Sequence, residues 1–516
     1  MKKKMMMRLW IIISFIITLL QQFTFVSTFV FHDKKEFSLS ASCPYSVEKR
    51  FSNNKHEKSI AVGNTILFSV PNSKATAPDQ RKQKRTKNTE KKKKKRKKKN
   101  IGSNKNDTKE HNFSQLLQSS CHDASSVLEV VGRFLSPKTD PSGKFSSLVL
   151  VRLSKILIAE SNHRLQIQTE SLTNLHHNNN SPPYLNPKEV EILAQVCDNL
   201  SFAIRTDHKK QKQHEIIDFG VEGIKAAGVI SRLLYPYKKQ NEIILGSDKV
   251  FASLIKSFHQ FSNDDLLRWE PHQISGLKWA FDSLSLSLSY TDNDKKCFAL
   301  PDSIHKAYQQ LQLPFRIRPN FLSTNITTKE GEEHNLTVQN LVRQVDFQAD
   351  EIQTKSNKIV VERRKTAWEG EDHVPGFAYS AKVMPTKPFS PLVRYVRDIL
   401  HQQTSIYYDC CLLNLYPDGD SGMRYHIDPD QGQLWGYNTA VVSAGATRRF
   451  AFRKINNHNN EKPHNFIVMD GDCTEMFGNC QMEYQHTVKT AEAKKETTPR
   501  SSLVFKETWS SEKKSQ

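Results

Sequence analysis

The chain has 516 residues and a formal net charge of +21, long enough for two or three domains of about 100–200 residues each. Arg81–Lys99 alone holds 14 Lys/Arg and one Glu, or +13, whereas residues 345–516 balance 22 Lys/Arg against 22 Asp/Glu. A basic surface spread over the whole chain is excluded, so attraction to nucleic acid must come from the Lys-rich part or from a few placed side chains.

The first residues, "MKKKMMMRLWIIISFIITLLQQFTFVSTFVF", combine a basic start, the apolar stretch Leu9–Leu20 and small residues at Ser27 and Thr28. This is signal-peptide grammar, and cleavage near residue 28 is the expectation. Leu9–Phe31 is also just long enough for a membrane anchor, although Gln21 and Gln22 fall near its middle. If the segment is cleaved, no stable membrane partner is expected.

Eight scattered cysteines without a Cys-x-x-Cys pair read as free thiols of a reducing compartment. A signal peptide conflicts with that unless a second address follows. Phe29 and the Ser-, Lys- and Asn-rich stretch after it resemble the two-part plastid address of diatom-like algae. Plastid location is the favoured expectation, with a nuclear address in the Lys run or membrane anchoring as alternatives. Residues 29–113 as a whole carry too little apolar surface to offset chain entropy and read as a transit-like and Lys-rich disordered region.

From 114 to 290 apolar residues recur at three- and four-residue spacing, as in "SSLVLVRLSKILIAE", "PKEVEILAQVCDNLSFAI" and "FGVEGIKAAGVISRLL". An all-α region follows, either a plain helical domain or a helical-repeat array faintly like those of organellar RNA-binding proteins. Residues 291–345 read as a linker with one short helix. Residues 346–510 then switch to short β-branched and aromatic runs between Gly, Asp, Asn and Pro turns, after a helix at "PLVRYVRDILHQQT". The expected architecture is multidomain, ending in a double-stranded β-helix, or jelly roll, with flanking helices.

"MRYHIDPD" at 423–430 raises the chemical question. His426 and Asp428, two apart, can reach one metal, and His486 of "YQHTVK" supplies a third ligand from a distant strand. Two imidazoles and a carboxylate on one face of iron leave positions for a keto acid and dioxygen. Arg500, on the following strand, is a bidentate partner for a carboxylate. Asn414 and Tyr416 of "LLNLY" share one side of their strand and offer an amide and a phenol to the same ligand. Separately, His486 could be a core histidine, and Arg448 and Arg449 solvated turn charges.

Through "RRKTAWEG", "FAYSAKVMP", "LLNLYPDGDSGMRYHIDPD", "GATRRFAFR" and "QHTVK…PRSSLVFK", about Val361 to Lys506, the chain resembles the AlkB-like Fe(II)/2-oxoglutarate dioxygenases, especially their nucleic-acid repair branch. The resemblance implies Fe(II) on His426, Asp428 and His486, and 2-oxoglutarate held by Asn414, Tyr416 and Arg500. Ser502 and Lys506 stand where the family commonly has Asn and a final Arg, and are expected to complete the 2-oxoglutarate site, Lys506 keeping the charge without the planar fork. It further implies a target base near Tyr379 and Asp430, under a lid that includes the Arg364–Gly370 segment. Trp368 there is a lid aromatic or a core anchor, followed by Glu369 where a Tyr is usual. The implied reaction couples 2-oxoglutarate and O2 to succinate and CO2, and removes a methyl from 1-methyladenine or 3-methylcytosine as formaldehyde.

Single-stranded or duplex DNA, or RNA, is the expected partner of a monomeric enzyme, since the base must flip out or be unpaired. A 2-oxoglutarate dioxygenase of a protein or small molecule, and an organellar RNA-binding protein with an RNA-modifying oxygenase domain, are the alternatives. If Arg81–Lys99 is an electrostatic anchor, its deletion should lower the salt slope of nucleic-acid binding by about 0.7–0.9 per lost phosphate contact. Unchanged binding with altered location would make it an address only.

Overall fold

The computed structural model describes residues 121–134, 142–171, 185–207, 213–234, 250–287, 300–322, 336–353, 358–379, 382–457, 460–491 and 496–509, with residues 113, 115–117 and 140. The signal-like start, the Lys-rich run and all of 29–113 but residue 113 lie outside the described residues.

Thirteen strands build the C-terminal part among the described residues. A seven-stranded sheet has the order β1 (Phe315–Arg318), β11 (Cys473–Met476), β8 (Trp435–Gly445), β13 (Arg500–Thr508), β6 (Cys410–Tyr416), β3 (Ile359–Gly370) and β2 (Gln348–Gln353). A four-stranded sheet has the order β10 (His464–Val468), β9 (Arg448–Lys454), β12 (Tyr484–Val488) and β7 (Met423–His426). β4 (Phe377–Tyr379) and β5 (Lys382–Met384) make a separate hairpin. Every pairing between these strands is antiparallel.

Side-chain alternation divides the large sheet into two faces. Leu413, Ala440, Val442, Leu503 and Phe505 form one apolar cluster with Leu392, Val393, Val396 and Leu400. The last four lie on the helix Pro391–Thr404, where their spacing makes one stripe. Pro391 opens that helix at a position whose N–H needs no intrahelical partner, and Ser405 closes it in the left-handed region at φ 59°. The opposite face of the sheet keeps Asn414, Tyr416, Thr439, Ser443 and Arg500 for the interior between the sheets.

Two readings of the sequence are corrected. The 291–345 segment, expected as a linker with one short helix, contributes β1 and two helices, Asp302–Gln310 and Val338–Gln344. "FRIR" pairs with β11 residue for residue, turning Phe315 and Ile317 inward while Arg316 and Arg318 bind Glu475 outside. A four-residue strand at an edge has too short a pattern to separate it from loop.

The all-α region also departs from a linear repeat. α1 (Ala124–Phe134), α2 (Lys144–Ser171), α3 (Pro187–Asp207), α4 (Gln213–Leu234), α5 (Ala252–Phe258), α6 (Asn263–Leu266) and α7 (Pro271–Ser287) do not stack in order. α4 packs against α2, α3 and α7 together, whereas a solenoid unit touches only its neighbours. α7 in turn lies on β10 and β1, the edges of the two sheets. There Trp279 meets Phe466 at 6.5 Å between ring centroids, and Ser275 bonds His464 Nδ1 at 2.7 Å. No helix among the described residues is long and apolar enough to cross a membrane.

A buried ion pair fastens the same contact. Arg232 of α4 donates two bonds to Asp472, at 3.0 and 2.6 Å, and Asp472 also accepts from the Asn320 and Met469 amides. With Asp472 fully buried, removing one partner strands the other charge. Arg232→Ala should therefore cost about 3–5 kcal/mol, read as a lowered denaturation midpoint; a loss below about 1 kcal/mol, the range of surface pairs, would contradict it.

Candidate metal centre

β7 and β12 run side by side with His426 opposite His486. This register, invisible in the sequence, brings the two imidazoles to 4.2 Å between ring centroids. Asp428, just past the end of β7, completes the cluster: its Oδ1 lies 3.6 Å from His426 Nε2 and 3.5 Å from His486 Nε2. One ligand atom from each of the three falls within 4.8 Å of the others.

The surrounding bonds set these atoms up as ligands. His426 Nδ1 lies 2.8 Å from the Arg424 carbonyl, which fixes the proton on Nδ1 and leaves the Nε2 lone pair facing the cluster. Burial pushes His486 down to about 3, so its ring is neutral, the form that binds metal. Burial alone would raise Asp428, but the Lys506 ammonium beside it, foremost, holds its carboxyl well below the usual range. Lys506 Nζ takes the other oxygen, Oδ2, at 2.6 Å and also reaches Thr439. The carboxylate thus has one oxygen anchored and one turned to the histidines. The Asp428 amide donates to Gln481 Oε1 at 3.0 Å, which pins its backbone.

A second cluster lies on the inner face of the seven-stranded sheet. Arg500 pairs across the sheet with Tyr416, and Ser502 with Asn414. Arg500 is 1% exposed, lies 5.6 Å from the Tyr416 ring and donates to the hydroxyls of Ser502 and of Ser443, the latter at 2.8 Å. Its Nε has no partner and it makes no ion pair among the described residues; burial pushes it down to about 10. A buried guanidinium without a carboxylate is costly, and a dicarboxylate co-substrate would compensate it. The residues present therefore fit both a metal and an anionic ligand. Ser443 was not singled out from the sequence, although its alternation within "VVSAGA" places it on the inner face.

The remaining candidates separate. Arg364 donates to Asn414 Oδ1 at 3.0 Å and so belongs beside the Asn414 cluster. Trp368 needs correction as a residue that touches substrate: it is 2% exposed, its indole donates to the Pro375 carbonyl, and it packs on Phe377 and Trp435. Nor is the Arg364–Gly370 segment a free lid, because it is part of β3 and hydrogen-bonded to β6. Tyr379 lies on β4, opposite Lys382. Asp430 adopts φ 58°, and its carbonyl accepts from the Gln433, Leu434 and Trp435 amides, making it the pivot of a tight turn.

The family match agrees with this geometry. Residues 314–507 match the 2OG-Fe(II) oxygenase superfamily. An uncharacterized protein, R406, of Acanthamoeba polyphaga mimivirus is 34% identical over 155 residues, 30% of this chain and 78% of that protein. The DNA oxidative demethylase ALKBH2 of Bos taurus is 32% identical over 90 residues, 17% of this chain and 32% of that one. The solved structure of OsALKBH1 covers 38% of this chain and 98% of its own at 14% identity, with a TM-score of 0.24.

His486→Ala should abolish stoichiometric Fe(II) or Mn(II) binding in calorimetry while the protein stays folded, because removing an inward ligand leaves the apolar cores intact. Metal affinity equal to the parent's would refute the three-residue ligand set.

Proposed function

The chain belongs to the AlkB-like Fe(II)/2-oxoglutarate oxygenases, and on that footing we propose that it removes N-methyl groups from nucleic-acid bases, 1-methyladenine and 3-methylcytosine foremost. Its cofactors are Fe(II), 2-oxoglutarate and O2. The observation that carries the reading is that the two facing sheets share one interior: three ligands from β7, the residues after it and β12 of the small sheet, and the uncompensated Arg500 beside Asn414 and Tyr416 on the large sheet, with Lys506 of β13 bonded across to Asp428. The bovine relative's activity supports nucleic acid as the substrate class.

In this reading His426, Asp428 and His486 hold the iron, and Lys506 keeps Asp428 ionised and oriented. Arg500, Asn414, Tyr416 and Ser502 bind 2-oxoglutarate. When bound, iron and co-substrate supply the oxidation that converts an N-methyl to a hydroxymethyl, which leaves as formaldehyde. Asp430 and Tyr379 meet the flipped base, whose alkylated ring carries a positive charge that an acidic side chain attracts. The carboxylate of Asp430 makes no hydrogen bond among the described residues, which leaves it open to such a contact. The even charge balance of 345–516 favours the competing reading, oxidation of a protein or small molecule.

Formaldehyde release from methylated single-stranded DNA, duplex DNA and RNA, measured side by side, decides between these. Release from none of them, with 2-oxoglutarate still consumed, would point away from nucleic acid. Asp430→Asn is the sharper variant, because Asn tolerates the left-handed turn where Ala is strained. It should lower demethylation about tenfold by loss of the charge and leave substrate-free 2-oxoglutarate turnover intact. Parent-like demethylation would make Asp430 a turn residue only.

A further inference from the structure

Arg500 opens β13, so its direction depends on whatever fixes the chain just before it. Two segments meet there: the β8–β9 turn, Gly445–Arg448, and the loop Glu496–Pro499. Gly445 pairs with Arg500, and the Ala446 amide donates to the Pro499 carbonyl at 3.0 Å. Gly445 has φ +83°, and a Cβ there would lie 2.7 Å from the same Pro499 oxygen, so the two segments touch backbone to backbone.

One residue of the helical region bonds both of them. Asn162 of α2 is 1% exposed. Its side-chain Oδ1 accepts from the Thr447 amide at 2.9 Å and its Nδ2 donates to Glu496 at 3.4 Å, while its backbone carbonyl accepts from the Thr498 hydroxyl at 2.9 Å. Glu496 returns to the Thr498 amide at 3.0 Å. Arg448 repeats the tie from inside: buried, it donates to the carbonyls of Thr447 and Thr498, at 3.1 and 3.2 Å. Gln166, one turn further along α2, bonds Thr497. Asn162 and Gln166 both lie on a helix outside the family-matched residues 314–507.

We propose that Asn162 is a positioning residue for 2-oxoglutarate, acting through Thr447 and Thr498 to hold the start of β13 and with it Arg500. The helical region then belongs to the co-substrate site, although none of its described residues bonds any of the three metal ligands. This rests on Arg500 being the co-substrate's anchor, and the test separates the two.

Full-length protein loaded with Mn(II) is titrated with 2-oxoglutarate by calorimetry, and the iron enzyme is assayed for the co-substrate KM and for kcat. Asn162→Ala should weaken 2-oxoglutarate binding about tenfold and raise KM accordingly, with kcat at saturation and Mn(II) affinity unchanged. A merely structural role would lower metal affinity in step. The exchange Asn162→Asp with Glu496→Gln keeps the acceptor for Thr447 and reverses the amide–carboxylate pair, and should restore binding to within about twofold. If Asn162→Ala does not fold, Asn162→Asp alone, which sets two carboxylates together, is compared with the exchange. Parent-like affinity in Asn162→Ala, or an exchange variant that folds yet binds as weakly as the single one, overturns the proposal. Parent-like affinity in Arg500→Ala overturns instead the anchor assignment beneath it.

Discussion

Arg500, Ser502 and Lys506 share one face of β13 because side chains alternate along a strand, and Ser501, Leu503 and Phe505 must then face the other way. That division constrains the whole C-terminal part. The outward set needs an apolar cover, supplied by the helix Pro391–Thr404. The inward set brings two cations into the space between the sheets, and each needs a counter-charge or a ligand. Lys506 has its counter-charge in Asp428. Arg500 has two hydroxyls and, among the described residues, no carboxylate, which is the state expected of a group that binds an anion from solution.

Asp428 is therefore shared between two demands. One oxygen neutralises Lys506, and the other faces His426 and His486. A lysine at this position holds a point contact where an arginine would hold a planar fork. It leaves Asp428 Oδ1 free to turn to the histidines, and Thr439 takes a second Lys506 contact. The departure from the common family motif is thus absorbed locally.

Much of this site was legible in the sequence because it is built from short-range spacing: His-x-Asp, Asn-x-Tyr and Arg-x-Ser each declare a shared face by period two. What joins those faces was not legible. The opposition of His426 to His486, the Tyr416 and Gly445 partners of Arg500, and the Ser443 hydroxyl all depend on strand register, which no local pattern states. Trp368 shows the reverse limit: an aromatic beside a motif has the same appearance whether it stacks on a ligand or fills a core, and only its packing on Phe377 and Trp435 decides. The β1 strand was missed because four residues carry too little alternation.

The helical region illustrates a further limit of periodicity. Its three- and four-residue spacing correctly implied helices, yet said nothing of where their apolar faces go. Part of the answer lies 240 residues away in sequence, at the Arg232–Asp472 pair, and 285 away at Asn162 and Thr447. Such contacts join the helices to the sandwich at separate places: at Asp472 between β10 and β11, at the β1 and β10 edges through α7, and at the start of β13 through α2. A module that only tethered RNA would need one flexible connection. The described helices are instead bonded at several points to the same sheets that carry the metal ligands and Arg500, so a substitution at those contacts acts on the strands they hold.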